Sequence, residues 1–153
     1  MKSALLLLDL QNEMVDPKGK IGAGGLAAIV DERKVLDNAR HCLDAAREAG
    51  MAVVHVRLGF RPDYSDCLSV AARIQGLKGN RAAIVGEFGT EFHPKVAPLD
   101  SELVITKQCV NPFFNTGLLT WLMQNGIKRL YLGGVATHLV VESTARFADD
   151  AGF

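Results

Sequence analysis

The chain has 153 residues, 17 Lys plus Arg against 17 Asp plus Glu, and 48% hydrophobic residues, the arithmetic of one soluble globular domain. Zero formal net charge removes the usual electrostatic reason to expect nucleic acid or an anionic membrane surface as a partner, and it permits self-association. The longest uninterrupted apolar stretches, Ala4 to Leu8 and Leu26 to Val30, fall far short of the ~20 residues that span a bilayer.

Ala4 to Leu8 is a continuous apolar run closed by Asp9, the pattern of a parallel strand buried on both faces. Residues 10 to 30 carry Pro17, Gly19, Gly22, Gly24 and Gly25 and read as a long loop. From there Val35, Leu36, Ala39, Cys42, Leu43 and Ala46 recur at helical spacing, with Asp31 as the expected N-cap and Gly50 as the stop. Ala52 to Val56 is a second strand. Arg57 to Leu99 scatters Gly and Pro among short periodic pieces such as residues 68–74, and is expected to be loop. Leu103 to Thr106 is a third strand, followed by Lys107. Thr116 to Gln124 reads as a helix closed by Asn125-Gly126. Leu130 to Leu132 is a fourth strand running into Gly133-Gly134. Thr137 to Ala151 reads as a last helix with Val141, Thr144, Ala145 and Ala148 inward and Glu142 and Arg146 outward. Strand and helix alternate throughout, which predicts an α/β fold, a doubly wound and mostly parallel sheet with helices on both faces.

In such sheets ligands gather outside the carboxyl ends of the strands. That rule selects Asp9, the His55 to Arg57 turn, Lys107, and the segment from Gly134 to Val140. Asp9 and Lys107 each close an apolar strand, and a charge in that setting is costly unless paired. An Asp9–Lys107 pair is therefore expected, either as a structural tie between strand ends or as part of a reactive site.

Three segments resemble the signature blocks of the isochorismatase-like hydrolase family: Leu5-Leu6-Leu7-Leu8-Asp9-Leu10-Gln11-Asn12, the Lys107 segment ending in Asn111-Pro112-Phe113-Phe114-Asn115-Thr116-Gly117-Leu118, and Gly133-Gly134-Val135-Ala136-Thr137-His138-Leu139-Val140-Val141-Glu142-Ser143-Thr144-Ala145-Arg146. The blocks occur in the family's order and cover nearly the whole chain. The resemblance implies a doubly wound sheet with a pocket at its strand ends. Most members are cysteine amidohydrolases with an Asp, Lys, Cys triad, and a smaller group cleaves the vinyl ether of isochorismate without that Cys. Asp9 and Lys107 match the first two triad positions, whereas Val140 stands where the family has its cysteine. A thiolate there would gain from the helix dipole and a nearby Lys; Val140 has similar volume and supplies no nucleophile, so the thioester route is expected to be closed. Backbone N–H groups around Ala136 to Val140, including those of Thr137 and His138, are expected to bind an anionic or carbonyl oxygen, and Phe113 to line the substrate pocket; the resemblance places a similar Ala-His pair of the isochorismate-cleaving group at Thr137-His138 and a non-proline cis peptide at Val135-Ala136. His138 has the ordinary alternative of a polar residue in a first helical turn. Phe113, Phe114 and Trp121 have that of core aromatics.

The leading expectation is thus a hydrolase acting on a small polar metabolite by acid/base chemistry, with Asp9 as acid or base. The alternatives are an inactive member that binds a ligand or partner, and an amidohydrolase whose cysteine has been replaced by Val140. Cys42 and Cys67 are expected to be structural, and Cys109, two residues beyond Lys107, either a buried hydrophobe or a displaced nucleophile. Arg57 or Arg61 is expected to meet any substrate carboxylate. The segment after His55 lacks the Asp-x-His arrangement of the family's metal-binding nicotinamidases, and His41, His55 and His93 have no zinc-site spacing, so neither metal nor cofactor is expected. Three cysteines without a CxxC pair and an N-terminus without a signal cleavage site point to the cytoplasm. The family commonly forms dimers or higher oligomers, so a homo-oligomer, dimer or tetramer, is expected. Members continue beyond the signature helix into a further strand and helix, so residues 1–153 are expected to be a single domain cut short at its C-terminus.

Overall fold

The computed structural model describes residues 1–67 and 70–153. Its sheet has four parallel strands, β1 (Lys2–Leu8), β2 (Ala52–Leu58), β3 (Leu103–Lys107) and β4 (Ile127–Gly134), in the order β3-β2-β1-β4. Central β1 pairs with β2 from Ala4↔Ala52 to Leu8↔Val56, and with β4 up to Leu8↔Gly134. All four carboxyl ends therefore lie along one edge.

The uninterrupted apolar run of β1 has a double destination. Successive strand side chains point to opposite faces, so Leu5 and Leu7 enter one hydrophobic cluster while Ala4, Leu6 and Leu8 enter the other. Helix α3 (Val35–Glu48) covers the first face through Leu43 and Ala46. Helices α5 (Leu118–Gln124) and α6 (Glu142–Asp150) cover the second through Leu118, Leu122 and Ala148. This is the doubly wound α/β arrangement anticipated from the alternation of patterns.

Several boundaries differ from the sequence expectation. Residues 10–30 are not a bare loop: they hold a short helical turn α1 (Asn12–Val15) and helix α2 (Leu26–Glu32). Asp31 lies inside α2, and α3 starts after Lys34, whose backbone is left-handed at φ 51°. The expected periodic piece at 68–74 begins outside the described residues; helix α4 runs Ala72–Gly79 within the supposed loop. Strand β4 is longer than Leu130 to Leu132 because its first half carries the exposed Lys128 and Arg129, which a search for apolar runs passes over. The last helix opens as a π-helical turn, Thr137–Val141. Cys42 and Ala145 face solvent rather than the core, each one residue (about 100° of helix) from a buried neighbour, Leu43 and Thr144.

Candidate active site

At the edge where the carboxyl ends meet, the first charge of the chain to be buried is Asp9. Its N–H still donates to the Val56 carbonyl at 2.9 Å, continuing the β1–β2 ladder, and the backbone then turns into a left-handed conformation at φ 58°. Lys107 closes β3 on the far side of β2 and reaches across to donate to Asp9 Oδ2 at 2.9 Å. The residues are only 4% and 1% exposed. Lys107 Nζ also donates to the Cys109 carbonyl at 2.9 Å. Asp9 Oδ1 is buried and, among the described residues, accepts no hydrogen bond. Burial pushes the Asp9 carboxyl above the ordinary aspartate range, and the opposing pull of the Lys107 ammonium does not cancel that rise.

Asp9 and Lys107 line a cavity of about 150 Å³. Its walls come from Met14 and Ile21 in the segment after β1, Leu26 of α2, Leu58 at the end of β2, Ile74 and Leu77 of α4, Cys109 and Val110 after β3, and Val135, Ala136, Leu139 and Val140 in the turn after β4. Three local features hold these parts in place. Gln11, fully buried, donates from Nε2 to the Leu58 and Gly89 carbonyls and accepts from the Leu58 N–H at 2.7 Å, acting as a strand-like link beyond Asp9. The buried Glu13 carboxylate accepts from the N–H groups of Lys20 and Ala83, tying the segment after α1 to the stretch after α4. Gly134, at φ 146°, lies so close to the Leu8 carbonyl that a Cβ would collide with it, and one residue further on the Val135–Ala136 peptide bond is cis.

Of the residues singled out in the sequence, Asp9, Lys107, Val140, Ala136 and Cys109 line this cavity. Thr137 and His138 are on the same turn, exposed and outside the lining. Phe113 is buried in the core under α5 and α6, its ring stacked on Phe147 with centroids 4.6 Å apart; Trp121 packs against the same cluster, and Phe114 is 64% exposed. Arg57 spends its guanidinium on Thr106 Oγ1 and the Thr90 carbonyl and lies over the Phe92 ring. Neither it nor Arg61 faces the cavity. The Cys109 thiol donates to the Asn111 carbonyl at 3.2 Å, and burial pushes its pKa up against the pull of Lys107. Among the described residues no group of three His, Cys, Asp or Glu side chains is placed to hold a metal ion.

Sequence reasoning missed the aliphatic walls and Arg73, the one arginine that does line the cavity. The walls lie in segments whose glycines masked α2 and α4. Arg73 carried no motif that could have found it.

The family model of the isochorismatase domain matches residues 3–153. The chain belongs to the isochorismatase family. It is 32% identical over 155 residues to an uncharacterized isochorismatase family protein, YddQ, of Bacillus subtilis, covering 100% of this chain and 73% of that one. It is 30% identical to the ureidoacrylate amidohydrolase RutB of Cronobacter sakazakii, covering 95% and 67% respectively. The crystal structure of N-carbamoylsarcosine amidase from Thermoplasma acidophilum superposes with a TM-score of 0.79 at 27% identity, over 100% of this chain and 79% of that chain. These relatives make the chain a hydrolase of the isochorismatase family, with the sheet edge bearing Asp9 and Lys107 as its candidate site.

Proposed function

We propose that this protein hydrolyses a small polar metabolite by proton transfer from Asp9, with water rather than a protein thiol as the nucleophile. The observation that carries this reading is that Asp9 lines the cavity and that its Oδ1 is buried and, among the described residues, without a hydrogen-bond partner. Lys107 engages Oδ2, which leaves Oδ1 as the oxygen to take up and pass on a proton, and burial eases that uptake by raising the pKa of the paired carboxylate. For a vinyl ether, Oδ1–H would protonate the alkene carbon. Water would then capture the oxocarbenium-like cation and return a proton to the carboxylate; the hemiketal so formed would break its original ether C–O bond, its hydroxyl proton passing to the departing alcohol oxygen as the carbonyl product forms. Val140, 2% exposed, offers hydrocarbon where the resemblance puts the nucleophile. The raised Cys109 pKa does not favour a thiolate in its place. Opening N–H groups of a helical turn lack partners within it, and that of Ala136, which lines the cavity, would take the substrate's carbonyl oxygen.

The test is to offer isochorismate, ureidoacrylate and N-carbamoylsarcosine, the latter two because the relatives' names suggest them. Turnover should fall about 10²- to 10⁴-fold in Asp9→Ala; rapid amide hydrolysis surviving that substitution overturns the mechanism. Val140 also favours a second reading, a silent member that only binds its ligand. Absence of turnover on every substrate, together with amidase activity created by Val140→Cys, would select it. We place the protein in the cytoplasm, where its three free cysteines stay reduced, and as a homo-oligomer, which size-exclusion chromatography would check.

A further inference from the structure

The cavity is aliphatic on most of its surface, and among the described residues that line it only Asp9, Lys107 and Arg73 carry ionisable groups apart from the Cys109 thiol. Asp9 and Lys107 are spent on one another. Arg73 is not: it stands exposed on α4, and among the described residues no hydrogen bond or ion pair engages its guanidinium. Its position follows from the helix. Ile74 is buried and anchors α4 to the core. Arg73 and Leu77, four residues apart, fall on a shared face, and both line the cavity. A free planar cation beside an apolar wall, in a cavity whose other two charges are paired with each other, suits a ligand with an anionic end and a hydrocarbon body.

We propose that Arg73 determines the specificity of this site, by binding the carboxylate of a small substrate whose apolar body lies against Ile21, Leu26, Ile74 and Leu77. The proposal rests on the hydrolytic reading above and names its substrate class. Arg73 meets a carboxylate through two parallel N–H···O bonds, a geometry a lysine does not reproduce. With the anion held by Arg73, Asp9 is left to act on the reacting bond. The pairing with Asp9 also accounts for Lys107 not acting as the anion site.

Binding of benzoate and of benzamide, the same ring without the charge, tests this by calorimetric titration. The intact protein should prefer benzoate, and Arg73→Gln should weaken benzoate about 10- to 100-fold, the worth of a hydrogen bond to a charged group, while leaving benzamide unchanged. Arg73→Lys should restore only part of the preference. Equal binding of the two probes, binding of neither, or benzoate affinity unaffected by Arg73→Gln overturns the proposal. Because Arg73 is exposed, the variant should melt like the parent, which thermal unfolding checks. The readout needs no turnover: loss of the charge preference leaves the Asp9 chemistry standing, and absence of hydrolysis leaves the charge preference standing.

Discussion

Asp9 and Lys107 share a site from which water is nearly excluded, so the stability of each depends on the other. Removing one partner of a buried ion pair costs about 3–5 kcal/mol because the remaining charge is stranded, whereas replacing both by uncharged groups of similar volume is often neutral or stabilising by about 1–4 kcal/mol. Asp9→Asn should therefore lower the unfolding free energy in urea by about 3 kcal/mol or more, even though a buried carboxyl with a raised pKa is itself an unfavourable group at neutral pH. Adding Lys107→Met should recover that loss. Both variants should be inactive, so stability and activity would separate in the double variant. A single variant as stable as the parent would mean that Lys107 finds water or another acceptor.

The connection between β4 and the turn after it determines where the cavity wall stands. Leu8 pairs with Gly134, and the Val135 N–H donates to the Leu8 carbonyl at 3.0 Å. An alanine at 134 would need both a backbone conformation that L-residues avoid and room that the Leu8 carbonyl occupies. Gly134→Ala should cost about 1–3 kcal/mol or more, while Gly133→Ala, with nothing within 4 Å of its added carbon, should cost less than about 1 kcal/mol; equal losses in urea unfolding would refute the steric reading. The β1 run was legible because a strand buried on both faces is apolar without interruption; β2 and the edge strand β3 were legible from shorter apolar runs, although Val104 of β3 is exposed. β4 was legible only in its apolar half. The helices α2 and α4 were not, since short helices beside Gly22, Gly24, Gly25, Gly76 and Gly79 are held by tertiary packing of one or two residues, such as Ile74, rather than by propensity. The Asp9–Lys107 pair could be anticipated from two charges ending two strands. Arg73 could not, because its place on the cavity depends on α4.

At the scale of the molecule, the layer formed by α3 is joined to the sheet by a polar network as well as by the apolar cluster. Arg47 of α3 donates from Nε and Nη2 to the two Glu102 oxygens, each at 2.8 Å, and Glu102 Oε2 lies 2.9 Å from His55 Nε2 in β2. His55 is buried and its Nδ1 has no partner, so a proton there would be an unsatisfied buried donor. Burial accordingly pushes His55 below its ordinary value, against the pull of Glu102. Burial works against the Glu102 carboxylate too, but the bonds from Arg47, the Leu99 N–H and His55 prevail and lower it to about 2. Both pKa values are lower in the folded than in the unfolded chain. As pH falls below about 6.5 the unfolded chain takes up a proton that folded His55 refuses, and below about 4.5 the same holds for Glu102. Stability from this network is thus complete above those values and is lost on acidification, most of the Glu102 share between about pH 4.5 and 2. Asp9, with its raised pKa, opposes the trend because its folded form binds a proton more readily. At about 1.4 kcal/mol per pKa unit, reduced for solvent at the network's edge, Glu102 contributes on the order of 2 kcal/mol. The fall in unfolding free energy between pH 7 and pH 3 should therefore be smaller in Glu102→Gln than in the parent by roughly that amount, as measured by urea denaturation at each pH. The same acid loss in both proteins would show that α3 is held to the sheet by its apolar contacts alone.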